Sequence, residues 1–179
     1  MAEANCVVII GMAASGKSTI GRTLAEAMGM AHVDTDALIE STYGARLQSI
    51  ADALGKEAFL DVEAAIVSSA NVHRAVLSTG GSVIYREKTM RHLAALGPIL
   101  HLDVPLSIIL ERIARKPDRG LAIAPGQTIE DLFAERDALY RKWAECSLQT
   151  GSFSVAESTQ AALEYLRANH PDLFVPAGN

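Results

Sequence analysis

The stretch Gly11-Met12-Ala13-Ala14-Ser15-Gly16-Lys17-Ser18 indicates the fold of this chain. Its spacing, a glycine followed after four residues by Gly-Lys-Ser, is that of a phosphate-binding loop. An apolar run, Cys6–Ile10, precedes the loop, and a helix-forming segment, Thr19–Met28, follows it. A buried strand, a glycine-containing turn and a helix in this order place backbone N–H groups around a polyphosphate. The stretch therefore predicts a nucleotide-phosphate site near the N-terminus.

Each part of the loop has an expected role. Lys17 can reach the terminal phosphates of ATP, and the Ser18 hydroxyl can bind Mg²⁺. Ala14 stands where many such loops carry another glycine, and we expect it to keep a negative φ. The predicted ATP-binding residues of the loop are Gly11, Ala13, Ala14, Ser15, Gly16, Lys17, Ser18 and Thr19.

Length and composition limit the possible classes of protein. The chain has 179 residues, 49% of them hydrophobic, which suits a single domain over residues 1–170 with a C-terminal tail at 171–179. A net charge of -5 without a dense Lys/Arg run argues against nucleic-acid or membrane partners. Two cysteines, expected in a strand (Cys6) and near a helix end (Cys146), indicate packing roles. With no leader sequence apparent, we expect a cytoplasmic monomer.

Short apolar runs alternate with helical patterns along the chain. This alternation predicts an α/β three-layer sandwich with a five-stranded parallel sheet. In such sheets ligands bind beyond the carboxyl ends of the strands. The predicted strands are Val7–Ile10, Ala31–Val33, Ala75–Leu77, Ile99–Leu102 and Phe153–Val155.

Two carboxylates follow the second predicted strand. Asp34 is expected to face the Mg²⁺ bound by Ser18, and Asp36 to face an acceptor hydroxyl as its base. The alternative is that Asp36 only caps the helix that begins after it.

The third strand is followed by Gly80-Gly81, and a later helix carries an arginine on its apolar stripe. Exposed N–H groups of the glycine pair could hold a carboxylate. Arg136 falls on the same stripe as Ile129 and Tyr140, so its guanidinium either snorkels outward or is aimed at a bound anion. The segment 115–126, rich in cations and bounded by Pro and Gly, predicts a lid that carries Arg119 to the phosphates.

Taken in order, these segments resemble shikimate kinase over nearly the whole chain. The matching pieces are GMAASGKSTIGR, HVDTDALIE, Phe59-x-x-x-Glu63, STGGSV, the Arg112 to Arg119 spacing and ERDALYR. The resemblance implies ATP-dependent transfer to a hydroxyl of a small carboxylate-bearing substrate. It implies Lys17, Ser18 and Asp34 for phosphate and Mg²⁺, Arg112 near the adenine and Arg119 on the lid. For the acceptor it implies Asp36, Glu63, Gly80, Gly81 and Arg136.

Three positions depart from the family pattern. Leu60 stands where the family has a second arginine for the shikimate carboxylate, with Lys56 one turn earlier as a possible substitute. Ser82 replaces the third glycine of a Gly-Gly-Gly run, and Gly120-Leu121-Ala122 replaces Pro-Leu-Leu in the lid. Losing one charge-assisted bond should weaken carboxylate binding roughly ten- to hundredfold.

Three alternative interpretations of the function remain open at this point. The pocket beside Leu60 could admit a smaller hydroxy acid with an ammonium group, such as homoserine. A nucleoside monophosphate kinase would need more arginines than the region after the second strand offers. A sensor that binds ATP and transfers nothing would have no use for an acid beside the acceptor.

Overall fold

The computed structural model describes residues 5–115, 123–124 and 126–175 and contains one five-stranded sheet. The spatial order is β2-β3-β1-β4-β5, and every neighbouring pair is parallel. The predicted α/β fold with a five-stranded parallel sheet is therefore confirmed. The strands are β1 (Val7–Ile10), β2 (Ala31–Asp34), β3 (Ala75–Ser78), β4 (Ile99–Asp103) and β5 (Cys146–Gln149).

Helices cover both faces of the sheet. Helices α1 and α8 pack on one face, whereas the opposite face is covered by helices that include α5, α6 and α7. The α-helices of the described residues are α1 (Lys17–Met28), α2 (Thr35–Tyr43), α3 (Leu47–Leu54), α4 (Lys56–Ser69), α5 (Glu87–Leu96), α6 (Leu106–Ala114), α7 (Ile129–Trp143) and α8 (Val155–Asn169).

Strand β1 lies at the centre of the sheet and is buried on both faces. Val7 and Ile9 point into the cluster formed with α1 and α8, and Val8 and Ile10 into the opposite cluster. A strand covered on both sides needs apolar residues at every position, which explains the continuous VVII run. The loop that follows β1 thus starts from a central strand that is packed on both faces.

The prediction for the fifth strand was wrong. The strand is Cys146–Gln149, and the preceding helix ends at Trp143. Phe153 and Val155 are exposed, because Ser154 instead caps α8 in a capping box with Glu157. As an edge strand, β5 is only half-buried and carries polar residues, so it lacks an apolar signature.

Smaller details also differ from the sequence-based expectations. Cys146 lies in β5 and not at a helix end, although both cysteines are free thiols as expected. The chain after α8 continues as a short 3₁₀-helix, Pro171–Phe174, whose Leu173 is buried. The division into a domain over 1–170 and a tail stays a prediction.

The expected lid lies largely outside the described residues. Arg119 is among the residues not described, so its placement on a lid remains a prediction. None of the helices in the described ranges is long and apolar enough to cross a membrane.

Candidate active site

The phosphate-binding loop connects β1 to α1, as predicted. Gly11 has φ +148, and a Cβ atom on it would lie 3.0 Å from the Leu102 carbonyl oxygen. Gly16, at the start of α1, has φ +100. Both backbone conformations favour glycine, which explains why the loop carries glycine at these two places.

Ala14 does not keep the negative φ that we expected. Its φ is +66, in the left-handed region, where a Cβ atom costs roughly 1 kcal/mol or more. The loop geometry requires this conformation, and burial of the Ala14 methyl group in the core offsets part of the cost.

Two cations lie on the loop backbone. The Lys17 ammonium group is largely buried and donates hydrogen bonds to the carbonyl oxygens of Gly11 (2.8 Å) and Met12 (2.9 Å). Arg112 of α6 donates to the carbonyl oxygens of Ala14 (3.1 Å) and Ser15 (3.3 Å). Two positive side chains from separate helices are therefore hydrogen-bonded to the loop backbone.

A cavity of about 1100 Å³ opens beside the loop, at the carboxyl ends of the strands. It is lined by loop residues together with Asp34, Asp36, Gly81 and Arg112. The structure thus brings most of the predicted loop residues, the predicted metal ligands and two of the predicted acceptor residues, Asp36 and Gly81, to one cavity. The other predicted acceptor residues, Glu63, Gly80 and Arg136, are not among its lining residues. Lining residues that sequence analysis missed include Glu40, Arg46, Thr79, Thr150, Phe153 and Ser158.

The loop between β5 and α8 explains several of these missed residues. Phe153 and Val155 line the cavity, whereas the sequence placed them in a strand. The Ser-x-x-Glu capping pattern at Ser154 and Glu157 was the signal that could have placed this loop correctly.

The two carboxylates after β2 have different roles. Asp34 is the N-cap of α2, and its Oδ1 accepts a hydrogen bond from the Asp36 backbone nitrogen at 3.0 Å. The capping alternative for Asp36 is therefore wrong, because Asp34 caps the helix. Burial and the nearby Asp34 charge raise the pKa of Asp36 to about 6, against the opposing effect of Lys17. At neutral pH Asp36 is mostly ionised and can accept a proton.

Glu63 of α4 meets Asp36 beside Gly80. Glu63 is only 1% exposed, and its Oε2 accepts a hydrogen bond from Ser82 Oγ at 2.7 Å. A Cβ atom on Gly80 would collide with Glu63 Oε1 and come within 2.7 Å of Asp36 Oδ1. Burial raises the pKa of Glu63 to about 7, and the Asp36 charge adds to the effect. Only glycine leaves room between these two carboxylates.

We expected both N–H groups of the glycine pair to be exposed to a ligand, but the N–H group of Gly80 is hydrogen-bonded within the protein. The Gly80 nitrogen donates to Thr35 Oγ1 at 3.1 Å, and the Gly81 carbonyl oxygen accepts from Tyr140 OH at 2.6 Å. These bonds hold the turn between α2 and α7. Gly80 therefore acts by its small size, and its N–H group is engaged within the protein.

Arg136 of α7 is buried, at 1% exposure, and lies behind Gly81. A Cβ atom on Gly81 would lie 3.0 Å from Arg136 Nη1 and 3.3 Å from the Ala13 nitrogen. Arg136 Nε donates to Tyr85 OH at 3.2 Å, and the guanidinium also lies over the Tyr85 ring. The snorkelling alternative is therefore wrong: the charged group is buried next to the loop.

Leu60 and Lys56, the possible substitute for the missing second arginine, both lie on α4. Leu60 is buried and apolar, so it brings no charge to the site. The Lys56 ammonium group lies 4.0 Å from Glu135 and above the ring of Tyr85, the tyrosine that contacts Arg136. Lys56 thus borders the Arg136 region and is also engaged by Glu135.

The two histidines in strands serve packing. The half-buried His32 is hydrogen-bonded to Ser78 Oγ at 3.0 Å, and the buried His101 is hydrogen-bonded to Ser147 Oγ at 3.0 Å. Asp103 accepts hydrogen bonds from Arg141 and Gln149 and does not cap α6, whose N-cap residue is Pro105.

Fold and site together define a P-loop phosphotransferase of the small-molecule kinase type. A family model described as shikimate kinase matches residues 13–167. The chain therefore belongs to the shikimate kinase family, whose members are phosphotransferases with an alcohol group as acceptor.

Individual relatives agree with this assignment. The shikimate kinase of Histophilus somni is 36% identical over 154 residues, covering 84% of this chain and 88% of that protein. The structure of shikimate kinase from Acinetobacter baumannii in complex with shikimate superimposes with a TM-score of 0.84 at 29% identity, covering 94% and 96% of the two chains. The Aquifex aeolicus enzyme gives a TM-score of 0.76 at 26% identity, covering 95% and 99%.

Proposed function

We propose that this protein transfers the γ-phosphoryl group of ATP to a hydroxyl group of shikimate, forming shikimate 3-phosphate and ADP. The observation that carries the proposal is that Lys17 and Asp36 line one cavity. A phosphate held on the loop and a hydroxyl beside Asp36 would therefore be neighbours. The relatives named shikimate kinase support the choice of acceptor.

The residues divide the reaction between them. The acceptor oxygen attacks the γ-phosphorus, the bond from that phosphorus to the bridging oxygen of ADP breaks, and Asp36 takes the hydroxyl proton. Lys17 stabilises the negative charge on the transferring phosphoryl group. The loop N–H groups and Arg112 hold the donor. Arg119 on a closing lid would add a further cation.

Ser18 and Asp34 are the residues that would hold Mg²⁺. Both line the cavity beside Lys17, and oxygen ligands of this kind suit the ion. Within the described residues no cluster of three or more His, Cys, Asp or Glu side chains could hold a metal by itself. Magnesium usually takes its other ligands from phosphates and water, so the residues present fit it. When bound, the ion would neutralise phosphate charge.

The carboxylate of the acceptor is assigned to Arg136. Its buried guanidinium offers a planar pair of donors that matches a carboxylate. Buried Leu60 supplies no second cation, so we expect weaker shikimate binding than a two-arginine clamp gives. Homoserine stays the alternative acceptor that follows from Leu60. A cytoplasmic location and a monomeric state also stay predictions.

A turnover assay tests the proposal. ADP release is measured with ATP, Mg²⁺ and either shikimate or homoserine, using wild type, Asp36→Asn and the exposed-residue control Glu26→Gln. We expect saturable turnover with shikimate and not with homoserine, and a loss of kcat of roughly 10²- to 10⁴-fold in Asp36→Asn.

Each other outcome contradicts a specific part of the proposal. Turnover with homoserine and none with shikimate would mean that homoserine, and not shikimate, is the acceptor. Equal and negligible turnover in wild type and Asp36→Asn, with ATP affinity intact in both, supports a sensor that transfers nothing.

A further inference from the structure

Ser82 holds one oxygen of the buried Glu63 carboxylate. Its hydroxyl donates to Glu63 Oε2 at 2.7 Å, and both side chains are almost completely buried. Ser82 immediately precedes the 3₁₀-helix Val83–Tyr85, so its own position is set by a short rigid element. Its φ is -95, which any residue adopts, so the backbone does not require glycine here.

The other oxygen of Glu63 lies beside Gly80, as does Asp36 Oδ1. Glu63 Oε1 is buried and has no hydrogen-bond partner among the described residues, and the same is true of Asp36 Oδ1. A Cβ atom on Gly80 would collide with both atoms, and Asp36 and the neighbouring Gly81 line the cavity. A buried carboxylate oxygen without a partner is costly, and a hydroxyl group of a bound ligand would remove that cost.

We propose that Ser82 is a positioning residue, which fixes the Glu63 carboxylate through Oε2 and thereby turns Oε1 toward a second hydroxyl of the acceptor. The inference rests on the proposed function, because it concerns the same acceptor. It adds a residue that this chain has in place of glycine.

Electrostatics give Ser82 a second effect. The charged groups that act on Glu63 are Asp36, which favours its protonated form, and Arg136 and Lys17, which favour its ionised form. The hydrogen bond from Ser82 also favours the ionised form and lowers the pKa of Glu63 against the effect of burial. Without the Ser82 hydroxyl, Glu63 would keep its proton to higher pH and would accept a hydrogen bond from the ligand less readily.

The kinetic test compares Ser82→Ala, Ser82→Thr and the control Ser68→Ala. Ser68 is on the same helix as Glu63, and its hydroxyl bonds to Thr89, so it reports the general cost of losing a serine. In Ser82→Ala we expect the KM for shikimate to rise about tenfold, with the KM for ATP unchanged. The acidic limb of the pH profile of kcat/KM should move to higher pH, and Ser82→Thr should restore both values.

A second measurement is independent of turnover. The Glu63 carboxyl carbon, assigned with Glu63→Gln, is titrated by ¹³C NMR in wild type and Ser82→Ala, and its pKa should be higher in the variant. Unchanged titration, an unchanged shikimate KM in Ser82→Ala, or an equal effect in Ser68→Ala overturns the inference. If wild type turns over no shikimate, the proposed function fails, while a raised Glu63 pKa still supports the Ser82 contact.

Discussion

The loop end of the site (the phosphate-binding loop, Gly11–Ser18) and its acceptor end (Asp36 and Gly81 on the cavity, with Glu63, Gly80 and Arg136 packed behind them) hold their charged groups by different means. At the loop end, the ammonium group of Lys17 lies on carbonyl oxygens of its own loop, and backbone geometry does the positioning. At the acceptor end, three helices bring ionisable side chains together, and Glu63 and Arg136 are almost fully buried there.

The difference determines how each end responds to change. Backbone groups carry no titratable charge, so a side-chain substitution at the loop end should alter turnover more than folding. Buried charges depend on one another, because each offsets the desolvation cost of its neighbours. A substitution at the acceptor end should therefore change binding, pKa values and stability together.

The largest expected effect is at the loop end. Lys17→Ala removes the charge next to the transferring phosphoryl group, and kcat should fall by about 10³-fold or more while the thermal unfolding midpoint changes little. Steady-state ADP release and circular dichroism measure the two quantities. Lys88→Ala, on the exposed face of α5, is the control and should retain full activity. A variant that keeps most of its kcat would contradict the role of Lys17.

The next effect is a pH dependence of stability at the acceptor end. Glu63 binds its proton more tightly in the folded protein, with a pKa about 7 against an ordinary 4.5. The free energy of unfolding should therefore fall as pH rises through this interval. Glu63→Gln should remove about 3 kcal/mol of that fall between pH 4 and pH 8.

Urea unfolding of both proteins at the two pH values measures the difference. Glu26→Gln on α1, exposed, is the matched control and should behave as wild type. If Glu63→Gln shows the same pH dependence as wild type, the Glu63 carboxylate does not experience the buried environment described above.

Arg136 provides a test of binding at the same end. Arg136→Lys keeps the charge but loses the planar fork, so the KM for shikimate should rise about ten- to hundredfold with a smaller change in kcat. Initial rates over a range of shikimate concentrations separate the two parameters. Arg91→Lys, at an exposed position on α5, controls for a general arginine effect. A fall in kcat at constant KM would show that the two ends of the cavity are exchanged.

The smallest effect is expected where the loop backbone is left-handed. In Ala14→Gly, removing the left-handed Cβ should stabilise the fold by roughly 1 kcal/mol. Losing the buried methyl group should destabilise it by about 0.8 kcal/mol, so the two effects nearly cancel. Ala13→Gly has no positive φ to relieve and should be the less stable of the two. Thermal unfolding of both variants checks the order, and a reversed order would contradict the role assigned to backbone strain.

Much of the site could be predicted because its residues follow strands. Asp34 ends β2, and the loop, Asp36 and the Gly80-Gly81 pair begin within two residues of the ends of β1, β2 and β3. Parallel strands bring their carboxyl ends to one edge of the sheet. The expectation of two exposed glycine N–H groups failed because the partner of Gly80, Thr35, belongs to another element. The spacing of residues along the sequence does not reveal a hydrogen-bond partner that lies on another helix or strand.

The sequence by itself determined the phosphate-binding loop, the α/β fold and the family, since these depend on local periodicity and on neighbours along the chain. Only the tertiary structure decided the edge strand β5, the left-handed Ala14 and the contact of Ser82 with Glu63. Each of these depends on how groups distant in the sequence pack against the residue. Burial by such packing arises only when helices close over the sheet, and it sets the pKa values of the acceptor end.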